Sequence, residues 1–280
     1  MVAPVDYVVI GHIAQDVTPR GYVLGGTAAY AALTVRRLGL RVGIVTCAAP
    51  DTPVLSSLDD VALHCRPASH TTTFENVYED GQRVQWVRAV ADPLGVEDVP
   101  PAWRKAPVVH LAPIAQEVSP TLARTFSGAL VGATPQGWMR TWDGQGRVEY
   151  RPLEAPGRDL AEVDVLVLSI EDVRHNRAHV QALVEALPLV VVTLAEHGCE
   201  VYLKGHAERF PARPVDRVVD PTGAGDVFAA AFFVRYWETG DAAEAARFAN
   251  VVASFSVEGV GTSAIPTRNQ VESWRRSNGW

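Results

Sequence analysis

The segment Val218-Val219-Asp220-Pro221-Thr222-Gly223-Ala224-Gly225-Asp226 runs into the apolar stretch VFAAAFFVRYW. It joins a strand-like start, a Pro-Thr turn, a Gly-Ala-Gly step and a helix. The first N–H groups of a helix have no partners inside it, and with the helix dipole they make an anion site. Glycines let a phosphate approach the backbone closely. An aspartate beside such a site cannot itself bind phosphate. Its place suits a base that receives the proton of an attacking hydroxyl in phosphoryl transfer. Asp226 is the candidate for that base. A Gly-Ala-Gly step alone would equally serve as a plain turn, with Asp226 as a helix cap. The strand–turn–helix context makes the whole string more specific.

The elements that must position this string read as follows. Tyr7–Ile10, Arg41–Cys47, Val108–Leu111, Val165–Ile170 and Leu189–Leu194 are short apolar strands. Thr27–Leu38, His175–Leu187, Asp226–Glu238 and Ala242–Val257 are helices, the first stopped by Gly39 and the second by Pro188. Continuous apolar strands separated by helices imply an α/β fold with a mostly parallel sheet covered on both faces. Thr71–Val90 breaks the rhythm. It alternates with a period near two around Glu79-Asp80-Gly81, a hairpin signal. Such a hairpin is either an ordinary sheet edge or a cover over a site. Arg147–Arg151, after Asp143-Gly144, reads as another short strand.

Composition excludes several function classes. Of 280 residues, 48% are hydrophobic and 20% charged, so a large core is expected and disorder is not. The formal charge of −7 disfavours nucleic acid as a partner. The N-terminal stretch lacks the basic start of a signal peptide, and no apolar run is long enough to span a membrane, so a cytoplasmic location is expected. The three cysteines, Cys47, Cys65 and Cys199, lack disulfide-framework or zinc spacing. Cys47, ending a strand, reads as buried packing. The helical pair His175/His179 reads as a solvated face rather than a metal site, and Glu272–Arg276 as a solvated helix end. Lys105 and Lys204 are the only lysines. Few lysines are therefore available for Schiff bases or phosphate clamps.

DPTGAGD followed by an apolar helix resembles the C-terminal signature of the PfkB (ribokinase-like) family of carbohydrate and nucleoside kinases. Other segments are similar to that family in order and spacing. Gly11–Asp16 (GHIAQD) resembles its strand-end G-x-x-x-x-D, and Gly25-Gly26 its substrate-binding diglycine. Val192–Gly198 (VTLAEHG) resembles its nucleotide-side turn, with Ala195 replacing a glycine. Ala249-Asn250 and Gly259–Pro266 (GVGTSAIP) resemble the tail bordering the adenine site. The resemblance implies a single domain over residues 1–280: a three-layer α/β/α sandwich with a mostly parallel central sheet. A small β lid would form around residues 12–24 and 70–90.

The resemblance also implies roles. Asp226 would be the base, and the N–H groups of Gly223, Ala224 and Gly225 the anion hole. Asp16, Gly25 and Gly26 would hold the acceptor's hydroxyls, with Asn76 reaching from the lid beside Thr73 and Phe74. Thr193, Gly198, Thr222, Asn250 and Ser263 would lie near the nucleotide. ATP and Mg2+ would be the cofactors, Mg2+ being held mainly through phosphate oxygens and water. Asp220 and Thr222 could border a monovalent-cation site found in some relatives. Two departures stand out. Tyr30 replaces an asparagine that helps bind sugar in many relatives; it would cover a ring face, donate a hydroxyl, or pack in the core. The family's N-x-x-E element appears as Ser169-Ile170-Glu171-Asp172, so Glu171 or Asp172 would support Mg2+ through water.

The leading expectation is therefore an ATP-dependent kinase acting on a hydroxyl of a small sugar or cyclitol such as myo-inositol, with a homodimer formed through the lid. A nucleoside kinase and a catalytically silent sugar- or nucleotide-binding regulator are the alternatives. A dinucleotide oxidoreductase is disfavoured because no G-x-G-x-x-G follows the first strand, and a Walker NTPase because no GxxxxGK[ST] occurs.

Overall fold

A computed structural model describes residues 2–58, 60–79 and 82–280, so the expected Asp80-Gly81 turn lies outside the described residues. The strands are β1 (Tyr7–Ile10), β2 (Ala14–Thr18), β3 (Gly21–Gly25), β4 (Val42–Ala48), β5 (Ala62–Pro67), β6 (Thr72–Glu79), β7 (Gln82–Ala89) and β8 (Val108–Leu111). They continue with β9 (Leu130–Ala133), β10 (Arg140–Trp142), β11 (Val148–Tyr150), β12 (Val165–Ser169), β13 (Leu189–Thr193), β14 (Cys199–Leu203) and β15 (His206–Phe210). The helices are α1 (Thr27–Arg37), α2 (Pro156–Asp159), α3 (Arg177–Ala186), α4 (Ala224–Thr239), α5 (Ala242–Ser256) and α6 (Arg268–Asn278).

Among the described residues, nine strands form the central sheet in the order β15-β14-β13-β12-β9-β8-β1-β4-β5. The pairs from β13 through β5 are parallel, whereas β14 and β15 add an antiparallel edge. Alternate residues of the inner strands enter opposite cores. Tyr7 and Val9 join α1, α4 and α5 on one face. Val8 and Ile10 join α3 and the Trp103 and Trp138 turns on the other. These are the three layers expected for apolar strands buried on both sides. Helix α4 is buried continuously from Val227 to Val234, wedged between α1, α5 and the sheet. A helix apolar all round cannot face water, and this burial fixes where its N-terminus emerges.

A second sheet has the order β3-β2-β6-β7. It seats Ala14, Phe74 and Val87 on Ile114 and Ala115 of the main body. The β10–β11 hairpin docks on its β7 edge, where Val87 N–H donates to Gly146 O at 2.8 Å and Trp86 bridges Arg147.

Two expectations need correction. His179 is 7% exposed with its ring bonded to the Tyr150 hydroxyl, so it is a packed histidine and not part of a solvated face. Asn176 caps α3 by accepting from His179 N–H, so the helix starts at Arg177 and leaves His175 outside it. Within Glu272–Arg276, Arg275 is buried and makes a two-pronged pair with Glu244 at 2.7 and 2.8 Å. That end of α6 is therefore clamped to α5 rather than solvated.

Candidate active site

The loops leaving the carboxyl ends of β1, β8, β9, β12 and β13 gather on one edge of the sheet, where ligands of parallel α/β folds bind. The N-terminus of α4 arrives at the same edge. Its cap is Gly223, in the left-handed region at φ 76°. A Cβ there would lie 2.2 Å from the Tyr30 ring, so glycine is required on both grounds. Tyr30 is 3% exposed and packs beneath this turn, which leaves little of its ring to touch an acceptor.

Asp226 stands in the first turn of α4 and accepts a hydrogen bond from the Thr27 hydroxyl at 2.7 Å. Thr27 opens α1, straight after the diglycine, so two motifs 199 residues apart meet here. The residue keeps some surface, yet protein surrounds its carboxyl. Loss of hydration pushes its pKa up to about 6, the Thr27 hydroxyl opposes the rise, Asp172 adds to it and Arg140 counters it. The carboxyl thus titrates close to neutrality, where a general base works best.

Asp220 braces the turn. Its carboxyl accepts from Thr222 N–H at 3.0 Å and Gly261 N–H at 2.8 Å. Burial pushes Asp220 up, but these donors outweigh it and hold its pKa below the usual range. Val219 and Asp220 N–H groups both point to Val257 O. The exposed side chains of Val218, Val219 and Val260 therefore line one neighbourhood beside the turn.

The remaining expected residues divide. Asp16 overlies the diglycine, its carboxyl oxygen 2.6 Å from where a Gly25 Cβ would be. Gly26 caps α1 at φ 90°. Asn76 lies on β6 and accepts from Gln85 at 3.1 Å, on the same sheet face as Asp16 and Phe74. Asp172 accepts from Ser169 N–H at 2.9 Å and Gln136 Nε2 at 2.8 Å, and its charge reaches Asp226. Glu171 is exposed beside it. Thr193 ends β13, and Gly198 takes φ 86° where a Cβ would strike Phe210 O. Asn250 is 4% exposed and spends its amide on Phe210 O and the Cys199 sulfur. Ser263 donates to Val260 O within the tail. No cluster of three or more metal-binding side chains occurs among the described residues. Asp172 and Asp226 can accept from metal-bound water, which suits an ion carried in on phosphate oxygens.

Sequence reasoning missed four residues here. Thr27 seats Asp226. Arg140, on β10, donates to Ile114 O at 3.1 Å and stacks on Phe74 at 5.4 Å. Gln136 orients Asp172. Glu117, 3% exposed, accepts from the N–H groups of His12, Ile114 and Ala115 and ties two strand-end loops together. Position after β8 and β9 is the sequence cue that could have found Glu117, Gln136 and Arg140, but Leu130–Ala133 does not read as a strand; Thr27 is marked only by following the diglycine. Cys47, by contrast, packs as expected: it donates to Asp92 O at 2.9 Å, and burial pushes its thiol up to about 12.

At this edge of a mostly parallel α/β sheet, the N-terminus of α4 meets a carboxyl that titrates near neutrality. Residues 161–268 match the model of the pfkB family carbohydrate kinases. The chain is 30% identical over 251 residues to a cytidine kinase of Thermococcus kodakarensis, covering 82% of this chain and 88% of that protein. It is 28% identical to an inositol 3-kinase of Oryza sativa, covering 94% and 70%. Among solved structures, a pyrophosphate-dependent ribokinase-family kinase complexed with a pyrophosphate analog and myo-inositol superposes with a TM-score of 0.81 at 23% identity, covering 95% of this chain and 99% of that one. Arabidopsis thaliana ribokinase complexed with ribose and ATP gives 0.74 at 21%, covering 97% and 98%. The chain belongs to the pfkB family of carbohydrate kinases and has its ribokinase-like fold.

Proposed function

We propose that this chain transfers the terminal phosphoryl group of ATP to a hydroxyl of a small sugar or cyclitol, myo-inositol being the leading example. The observation that carries the reading is the Thr27–Asp226 pair at the N-terminus of α4, a base poised near neutrality beside an anion hole. The acceptor would lie between the diglycine and the small sheet, with Asp16 and Asn76 receiving or giving hydroxyl hydrogen bonds. Its proton would pass to Asp226 as the N–H groups of Gly223, Ala224 and Gly225 take up charge on the phosphoryl oxygens. Mg2+, held by donor phosphates and by Asp172 or Glu171 through water, would neutralise phosphate charge. The small sheet acts as the lid, excluding water as a competing acceptor. Thr193, Gly198, Thr222, Asn250 and Ser263 border the donor, some through backbone alone.

ATP is favoured by the exposed Val218, Val219 and Val260, an apolar face that a flat base would cover. Inorganic pyrophosphate is the competing donor, since structural relatives use it. A nucleoside acceptor is the second reading, supported by the likeness to cytidine kinase. No described helix is long and apolar enough to cross a membrane; a cytoplasmic place is part of the proposal. So is a homodimer through edge strand β3, where Tyr22 and Val23 are exposed. The test is product formation followed by phosphorus NMR, with cyclitols, sugars and nucleosides each offered with Mg-ATP and with Mg-pyrophosphate. A phosphorylated cyclitol or sugar formed from ATP supports the proposal. A phosphorylated nucleoside, or pyrophosphate as sole donor, replaces the corresponding half.

A further inference from the structure

Phosphoryl transfer needs positive charge at the moving group, and this chain offers almost none by the usual routes. Its two lysines are exposed at the opposite edge of the sheet. Lys105 precedes β8, and Lys204 turns β14 into β15 beside Pro188. At the site edge, among the described residues, Arg140 hydrogen-bonds Ile114, whose side chain lies 3.4 Å from where a Gly26 Cβ would stand, next to the Thr27 that holds Asp226, and the Arg140 charge reaches that carboxyl. Three structural units meet at the Arg140 side chain. The guanidinium donates to Ile114 O in the loop after β8, lies over the Phe74 ring of the small sheet, and acts electrostatically on the first turn of α4. Its strand belongs to the β10–β11 hairpin, which hangs on β7 through Val87 and Trp86. The other titratable groups that interact with Asp226 are Asp172 after β12 and Tyr30 on α1, and Tyr30 in turn faces Asp16 on β2 and Asp220 before α4. The carboxylates make the site negative, and among the described residues Arg140 is the cation that offsets them for an arriving phosphoryl group.

We infer that Arg140 is the cation that binds the transferring phosphoryl group, and that the β10–β11 hairpin sets its position through the small sheet. The inference rests on the kinase reading above. In the step, the acceptor oxygen bonds to phosphorus while the bond from phosphorus to the donor's bridging oxygen breaks. The bonding pair stays on the donor oxygen, and the hydroxyl proton goes to the Asp226 carboxylate. Arg140 holds a non-bridging oxygen of the moving group throughout. A planar guanidinium can do this in a two-pronged way that an ammonium cannot.

The test compares wild type with Arg140→Met, Arg140→Lys, Arg140→Ala and Asp226→Asn, using the best acceptor found. Arg140→Met should lower kcat by ~100-fold or more, as for loss of one charge-stabilising donor, with acceptor KM within ~3-fold. Arg140→Lys should recover part of the loss. Added guanidinium should restore turnover to Arg140→Ala and none to Asp226→Asn, which a merely structural role would not produce. The acid limb of the pH–rate profile should move to higher pH in Arg140→Met. Retention of kcat within ~3-fold in Arg140→Met, or a loss confined to acceptor KM, overturns the inference. Full activity in Asp226→Asn overturns the base assignment instead, so the two failures are distinguishable.

Discussion

At the scale of single residues, the site is built by meeting rather than by motif. Asp226 gains its character from Thr27, nearly the whole chain away, and from burial at the head of α4. Turnover should fall with unit slope below about pH 6, the point where this carboxyl protonates. Thr27→Val removes the hydroxyl that favours the ionised form. It should shift that limb to higher pH and cost ~3–10-fold in kcat; a pH–rate profile identical to wild type would contradict the pairing. Gly223→Ala meets both a left-handed backbone and the Tyr30 ring at 2.2 Å. It should cost ~1–3 kcal/mol in denaturant unfolding as well as activity. Asp226, Gly223, Asp16 and the diglycine were legible because their types and spacing are tied to a turn and a helix start. Arg140 and Gln136 were not. Their chemistry comes from a strand-end loop in Thr134–Arg140 that carries no periodic signal.

At the scale of elements, buried strands read well and edge strands poorly. Residues Tyr7–Ile10 and Val108–Leu111 are buried throughout and are strands as expected. Exposed β5 and the β14–β15 hairpin have too mixed a pattern to be recognised, because only one face or neither meets the core. The same logic left only the end of α6 legible, at Glu272–Arg276, and not that the Arg275–Glu244 pair holds it. The hairpin β10–β11 carries Arg140 and hangs on β7, a placement its sequence does not announce. Gly146 sits at φ 91°, and a Cβ there would lie 2.3 Å from Val87 O. Gly146→Val should therefore lift the hairpin and lower kcat by ~10-fold or more while the melting temperature drops only a few degrees. Unchanged kcat in a folded variant would separate the hairpin from the chemistry.

At the scale of the whole molecule, two buried groups give stability an opposing pH dependence. His110, bonded to Tyr7 and Thr134 inside the sheet, is pushed by burial down to about 3. The unfolded chain takes up its proton below about pH 6.5 and the fold does not. Stability should thus decline as pH falls from 6.5 toward 3, an effect on the order of a few kcal/mol in full. Asp226 runs the other way, because its folded pKa near 6 exceeds the ordinary 3.8. Its ionisation costs stability above pH 6, and that cost disappears as pH falls toward 3.8. Asp226→Asn should therefore be more stable at pH 7.5, by on the order of 1–3 kcal/mol, and should lose stability more steeply on acidification. Urea titrations between pH 7.5 and 5 check both signs; a wild-type stability that rises across that range would contradict the His110 assignment.

The most direct test of the account is the turnover of Asp226→Asn against wild type at pH 7.5, with donor binding measured on the same samples. The account predicts intact donor binding and a kcat lower by ~100-fold or more, the scale of a lost positioned base. A folded Asp226→Asn protein that turns over near the wild-type rate would contradict it, and would move the base to another carboxylate of the same edge.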